Sequence, residues 1–332
     1  MVKFLKAIGA ALLALFVVVS TTACGEDPEN PTVLIIEGDK IALDEFNYFY
    51  YNTKEDFDQG NESYWSDPDN VKKLYDDVFF ILKRNRAIKD LAKEYGIKLS
   101  SQTKSEISEY IKQVKNSYTS KEEYYSKLES EHMSERMFGE LLRLRELWQQ
   151  LYEHVTNEAS GIILADDKTL LEDIPKNFYR ATHILIMNDE GEDPAENKAL
   201  AEQLLARIKA GEDFDTLKDE YTEDQRVKGN SDGYYFTHGQ MIQSFENAVK
   251  QLEPGEISDV VESVYGYHII RRLPLEDEYI DKHLEELRDL YMTRVFNEML
   301  EERANSYEIT FTEAYHQLDI LPNPNENANQ NT

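Results

Sequence analysis

Ala181-Thr182-His183-Ile184-Leu185-Ile186 and, further on, Tyr265-Gly266-Tyr267-His268-Ile269-Ile270 decide the fold of this chain. Each is a strand-length run rich in β-branched or aromatic residues, and each carries one histidine. Between them lie Phe236-Thr237-His238-Gly239-Gln240-Met241 and Ser244-Phe245-Glu246. The first strand spans 180–187. A helical pattern follows from about Pro194 to Ala210, stopped by Gly211, and a second runs from Asp213 to near Tyr221. A short strand 234–238, a helix 242–251, the Pro254-Gly255 turn and strands 258–264 and 267–273 complete the unit. Short strands wrapped by helices, with no βαβ repeat, imply a small α+β domain over 178–275.

Upstream, Thr32-Val33-Leu34-Ile35-Ile36 has the composition of a buried strand. Residues 37–40 form a turn, and a helix rich in Phe and Tyr runs from Ile41 to about Asp58. Asp67-Pro68 starts the next helix, a capping carboxylate followed by proline in the first turn. Its Val71, Leu74, Val78, Leu82, Ile88 and Leu91 recur at helical spacing, and Gly96 ends it. Helical patterns cover 101–117, 120–131 and 134–156. The last places Phe138, Leu141, Leu142, Leu147, Trp148 and Leu151 toward a core.

Residues 32–177 therefore read as a mostly α-helical domain. One long amphipathic helix is expected from about Glu276 to Asn305, with a strand at Tyr307–Phe311. Such a helix cannot bury its apolar stripe alone. The economical arrangement returns 276–320 to pack on 32–177, its strand pairing with 32–36. The α+β unit is then an insertion in a helical domain built from both chain ends. The Asn- and Pro-rich stretch 321–332 reads as a disordered tail.

Lys3 and Lys6 precede the apolar run Ala7–Val19, which is too short for a membrane span and suited to a signal-peptide core. Residues 1–23 are read as that signal. Small residues before Cys24 resemble a bacterial lipobox, with Thr21 where that pattern usually has Leu. Cys24 is then the lipidation site, and 24–31 a lipidated tether holding the chain on the outer face of a bacterial cell membrane. Cys24 is the only cysteine, which excludes a disulfide framework.

The net charge of −29 opposes nucleic-acid binding, which needs basic patches. It suits basic, unfolded partners. Eleven tyrosines lie between residues 48 and 152, more than one small helical core needs. Exposed clusters among them, with Tyr48, Phe49, Tyr50, Tyr51, Tyr124 and Tyr125 the candidates, would offer a surface to unfolded polypeptide.

His183-Ile184-Leu185, Gly239-Gln240-Met241, Phe245-Glu246-Asn247-Ala248, Gly255-Glu256-Ile257-Ser258 and Gly266-Tyr267-His268-Ile269-Ile270 stand in one order. This series resembles the parvulin family of peptidyl-prolyl isomerases. The resemblance implies that His183 and His268 face one another behind the site, with Ser263 in their hydrogen-bond network. It also implies a proline pocket of Phe236, Met241 and Phe245, and a catalytic polar group at Asp224.

Those residue types suit the chemistry. Resonance in the amide opposes X-Pro rotation, and no bond to carbon or hydrogen need break. An apolar cup for the ring and a field favouring the twisted amide suffice. No cofactor is called for, and two histidines without a third ligand at characteristic spacing do not make a zinc site. The loop Asn230-Ser231-Asp232-Gly233-Tyr234 departs from the Gly-Gly-Asp-Leu-Gly of many parvulins, whose leucine contributes to the pocket wall.

The whole architecture resembles the PrsA-type foldase lipoproteins and the SurA-type periplasmic chaperones. It implies an extracytoplasmic foldase for unfolded exported proteins. The alternative is a holdase whose parvulin-like domain only binds peptide.

Overall fold

The computed structural model describes residues 27–58, 60–188 and 193–324. The signal segment, Cys24 and residues 325–332 lie outside them. The described chain begins with strands β1 (Thr32–Ile36) and β2 (Asp39–Ala42), joined through Glu37 and Gly38, both at positive φ. Two consecutive positive-φ residues make the tight turn that suits a twisted hairpin. The sequence reading had a turn to 40 and a helix from 41. The hairpin takes Ile41 into β2 instead, where it is buried.

Helices α1 (Leu43–Asp58), α2 (Pro68–Glu94), α3 (Ser101–Ser117), α4 (Lys121–Ser130), α5 (Glu135–Thr156) and α6 (Asp167–Asn177) follow. Asp67 caps α2 by accepting from the Asp69 amide, with Pro68 next to it. In α5 only part of the expected face is buried. Leu142 and Leu151 are interior, whereas Phe138, Leu141, Leu147 and Trp148 are half-covered. Helix α6 was not read from the sequence. Its Pro175 and charged residues mask a two-residue apolar contact, Leu170 and Ile174.

The α+β unit follows, with β3 (Phe178–Met187), α7 (Pro194–Lys209), α8 (Phe214–Tyr221), β4 (Tyr234–Thr237), α9 (Gln243–Gln251), β5 (Val261–Ser263) and β6 (Gly266–Leu273). Its four strands lie in the order β4-β3-β6-β5, all antiparallel. The expected strand 258–264 shrinks to three residues. Before it, Ser258 bonds Ile270 partly through its hydroxyl, 2.9 Å from the Ile270 amide, so the regular ladder is interrupted. Two small cores lie in this unit, one around Ile184, Leu204, Leu217 and Ile269, the other around Phe236, Phe245, Val249 and Ile270.

The chain then returns as α10 (Asp277–Lys282), α11 (Leu284–Asn305) and β7 (Ile309–Phe311). The single long helix expected here is broken at His283, whose ring nitrogen Nδ1 approaches the Tyr279 carbonyl at 2.9 Å. Strand β7 pairs antiparallel with β1, Ile35 opposite Thr310, as expected. One large core joins both ends of the chain. Leu74, Val78 and Leu82 of α2 meet Leu287, Phe296 and Leu300 of α11. Each such side chain contributes roughly 1.5–3 kcal/mol by leaving water. The fold is thus α+β, a small sheet domain inserted in a helical domain made from both ends.

The start of the expected tail is not loose. Leu321 is held by two tyrosines: its carbonyl accepts from the Tyr75 hydroxyl, and its amide donates to the Tyr50 hydroxyl at 3.0 Å. Asn323 is buried and donates to Tyr315 at 3.2 Å.

A buried arginine fixes the junction between the two parts. Arg180 donates to the Asp232 and Ser231 carbonyls, to the Pro274 carbonyl and to Glu276. It thereby ties the loop before β4 and the exit from β6 to one point on β3. Tyr235 stacks on Tyr279 at 3.9 Å, and Tyr279 on His283 at 3.9 Å, extending the tie into α10.

Candidate active site

His183 and His268 belong to neighbouring central strands. The register sets His183 opposite Ile270 and His268 opposite Leu185, so the two histidines are diagonal neighbours on one face of the sheet. Their rings lie 5.1 Å apart and nearly parallel, and the two Nδ1 atoms are 3.0 Å apart. Both residues are buried.

Asp224 is delivered by the segment after α8. Thr222 accepts from the Leu185 amide through its hydroxyl, and Glu223 donates to the Leu185 carbonyl at 3.0 Å. These bonds pin the segment along β3 and place the next residue over His183. Asp224 Oδ2 is 2.8 Å from His183 Nε2. Its Oδ1 accepts from the Arg226 amide at 3.0 Å. At the other end Ser263 Oγ is 2.7 Å from His268 Nε2. Ser263, expected in the network of His183 and His268, and Asp224, expected as the catalytic polar group, are brought together with the two histidines in one continuous chain of contacts.

Tyr234 joins that chain. Its hydroxyl donates to Asp224 Oδ2 at 2.6 Å. In the sequence it stood out only as a departure from the family loop. The signal that could have found it is strand period two, because Tyr234 and Phe236 of β4 share the face that holds Ala181 and His183 of β3. Gly233 before it sits at positive φ, where a Cβ would strike the Ala181 carbonyl. The departure from Leu-Gly to Gly-Tyr therefore moves the glycine one position and puts a phenol beside the carboxylate.

The hydrogen bond from His183, with that from Tyr234, holds the Asp224 carboxyl well below the usual carboxylate range despite burial. Burial, then the carboxylate beside it, pushes the Tyr234 phenol up. Burial, then neighbouring His183, pushes His268 down to about 3.

Proton positions follow from these states. An ionised Asp224 only accepts, so His183 Nε2 and the Tyr234 hydroxyl both donate to it. With one proton on His183, its Nδ1 accepts from His268, and Ser263 donates to His268 Nε2. With a second proton on His183 both inner bonds reverse, and the Ser263 hydroxyl turns to the Gly266 carbonyl, 3.3 Å away.

The apolar residues sit against the same groups. Phe245 stands edge-on to both rings, 5.2 Å from His183 and 5.8 Å from His268. Phe236 lies 6.1 Å from Phe245 and stacks on Tyr179. Phe236 and Phe245 are 1% and 3% exposed, so they form a floor rather than a wall. Met241 and Tyr234 are half-buried and stand at the rim.

Two family models match parts of this chain. The model of the PPIC-type PPIASE domain matches residues 168–273, and that of the SurA-like N-terminal domain matches residues 2–152. The foldase protein PrsA of Caldanaerobacter subterraneus is 29% identical over 273 residues, covering 80% of this chain and 82% of its own. The foldase protein PrsA of Bacillus subtilis is 35% identical over 138 residues, 40% of this chain and 44% of its own. The crystal structure of peptidylprolyl isomerase (PrsA) from Bacillus anthracis is 21% identical and covers 68% of this chain and 96% of that one, with a TM-score of 0.31.

The first match takes in the inserted sheet domain and all of α6 but its first residue, and the second includes the N-terminal part of the helical domain. Residues 168–273 thus form a PPIC-type, parvulin peptidyl-prolyl cis-trans isomerase domain joined to a SurA-like N-terminal domain, and the chain is similar to the PrsA foldases.

Proposed function

We propose that the isomerase acts at the Asp224–His183–His268–Ser263 chain and that the whole protein is an extracytoplasmic foldase for unfolded exported polypeptides. The unbroken line of contacts from Ser263 to Asp224, set against Phe245, carries this reading. A proline ring rests on Phe245 and Phe236 under the rim of Met241. The fixed charge of Asp224 and the oriented imidazoles favour the twisted amide over the planar one. All of this is electrostatic, since the carboxylate is already engaged by three donors and attacks nothing.

The helical domain holds the client. Tyr110 and Tyr125 are exposed, and a cleft of about 460 Å³ beside Tyr125 is lined by Tyr51, Leu128 and Met133 with acidic Glu129 and Glu135. The expected aromatic surface is smaller than the sequence suggested, because Tyr50, Tyr75 and Tyr124 are core residues. Among the described residues no helix is long and apolar enough to cross a membrane. The anchor is a lipid on Cys24. The acidic surface disfavours nucleic acid as a partner.

Protease-coupled isomerisation of Xaa-Pro peptides tests the site. Asp224→Ala and Met241→Ala are expected to lower the rate while aggregation of a proline-poor client stays suppressed. Full activity of Asp224→Ala refutes the assignment. Fatty-acid labelling lost in Cys24→Ala supports the anchor, and an unlabelled wild-type protein rejects it.

A further inference from the structure

Strand β7 is the outer strand of the sheet β2-β1-β7. Thr312 donates to the Val33 carbonyl at 3.1 Å, and Thr310 faces Ile35 in the same ladder. Antiparallel pairs alternate, so the amides and carbonyls of Ile309 and Phe311 point to the opposite, outer side. Among the described residues no strand pairs there. An open edge of this kind is a template for another strand.

This edge also faces a groove of about 760 Å³ between β7 and α2. Phe79, Phe80, Ile309 and Phe311 give it an apolar lining. Asp77 and Lys83 stand in it, both half-buried, and neither makes a hydrogen bond or ion pair among the described residues. Asp76 and Glu308 add two further carboxylates, so the groove is acidic, like the protein as a whole. Burial raises the Asp77 carboxyl and lowers the Lys83 ammonium, as expected of charges held partly away from water.

We propose that the outer edge of β7 receives an extended segment of an unfolded polypeptide as an added strand, with alternate apolar side chains in the groove and a lysine or arginine beside Asp77. The proposal rests on the reading of the helical domain as a client holder, and adds to it a backbone-directed site some distance in sequence from the isomerase. Main-chain bonds to Ile309 and Phe311 give sequence-tolerant affinity, and the groove selects apolar and basic side chains. Recognition through the backbone suits a holder of many unrelated clients. Charge complementarity picks this occupant over a second copy of the chain, whose own β7 would bring Glu308 against Asp77 and Asp76.

The test uses the full chain and a fluorescent, proline-free peptide of alternating valine and lysine. Two N-methylated versions carry the methyls on odd or on even residues. A strand added to β7 uses the amides of one set only, so one version should bind like the parent and the other at least tenfold more weakly. Ile309→Pro removes an outward N–H without touching the β1 ladder, a change edge strands tolerate. It should weaken peptide binding by a similar factor and leave isomerisation of short peptides unchanged. Asp77→Lys should shift preference toward an alternating valine-glutamate peptide.

Equal binding of both methylated versions, or no effect of Ile309→Pro and Asp77→Lys, overturns the proposal while client holding elsewhere stands. A wild-type chain that neither binds the peptide nor suppresses client aggregation overturns both. A concentration-dependent dimer abolished by Ile309→Pro assigns the edge to a second copy and likewise overturns it.

Discussion

Acidification should loosen the inserted domain through His268. In the folded chain burial, then neighbouring His183, lowers this group from 6.5 to about 3. The folded pKa is depressed, so the stability it supports is complete above the unfolded value and drains as pH falls toward the folded one. Near pH 8 both states leave the ring neutral. Near pH 5 the unfolded chain takes up a proton that the folded site refuses. The difference is RT ln(1 + 10^1.5), about 2 kcal/mol, and any folded value below about 4 gives the same figure.

Other carboxylates of this acidic chain also titrate, so the measurement needs a partner that lacks only this group. His268→Gln is that partner. Because a two-domain chain is not a single two-state system, opening should be read at the β3–β6 amides by hydrogen exchange, corrected for intrinsic rates. The variant starts less stable, having lost the ring between His183 and Ser263. Between about pH 8 and 5, however, it should lose about 2 kcal/mol less than the wild type. Parallel losses in the two proteins would refute the claim that His268 is held neutral by burial.

Tyr234→Phe removes the donor to Asp224 and should cost about 1.5–3 kcal/mol at neutral pH, read by the same exchange; it should also raise the Asp224 carboxyl, visible in its carbon-13 titration. Gly266→Ala should destabilise the β5–β6 turn by at least about 2 kcal/mol in urea unfolding, since φ is +130° and a Cβ would meet Ile186 and Met187 backbone atoms. Residues 178–275 expressed alone should give dispersed amide resonances, because Arg180 and the β3–β6 ladder bring their two ends together; a collapsed spectrum would contradict an independent insert.

The sheet domain was legible because its strands and glycines carry position-specific demands. That His183 and His268 face one another was implied by the family resemblance rather than by the two runs themselves; the register makes them diagonal neighbours on one face. Pairing of residues 32–36 with the C-terminal strand was legible because an apolar strand and a lone amphipathic helix each lacked a partner. Tyr234 was missed because its role depends on Asp224, ten residues away, which only the pinned loop after α8 brings near. Arg180 was missed too, since a charged residue in a strand reads as exposed, whereas here four backbone and side-chain acceptors satisfy it. The break at His283 and the hairpin at Glu37 turn on single backbone conformations that composition does not encode.

The meeting of β1 with β7 sets an order of assembly. About 270 residues separate the two strands, yet closing so long a loop costs only about 0.4 kcal/mol more than closing one shortened by the folded insert. Entropy of closure therefore does not decide the sequence of events; missing surface does. Until α11 exists, the helical domain lacks Leu287, Phe296 and Leu300. At roughly 1.5–3 kcal/mol each, that deficit approaches the whole stability of a typical domain. The inserted isomerase, by contrast, is complete once β6 has been made. A chain that emerges N-terminus first thus matures from the middle outward, with the isomerase finished while the holder is still open.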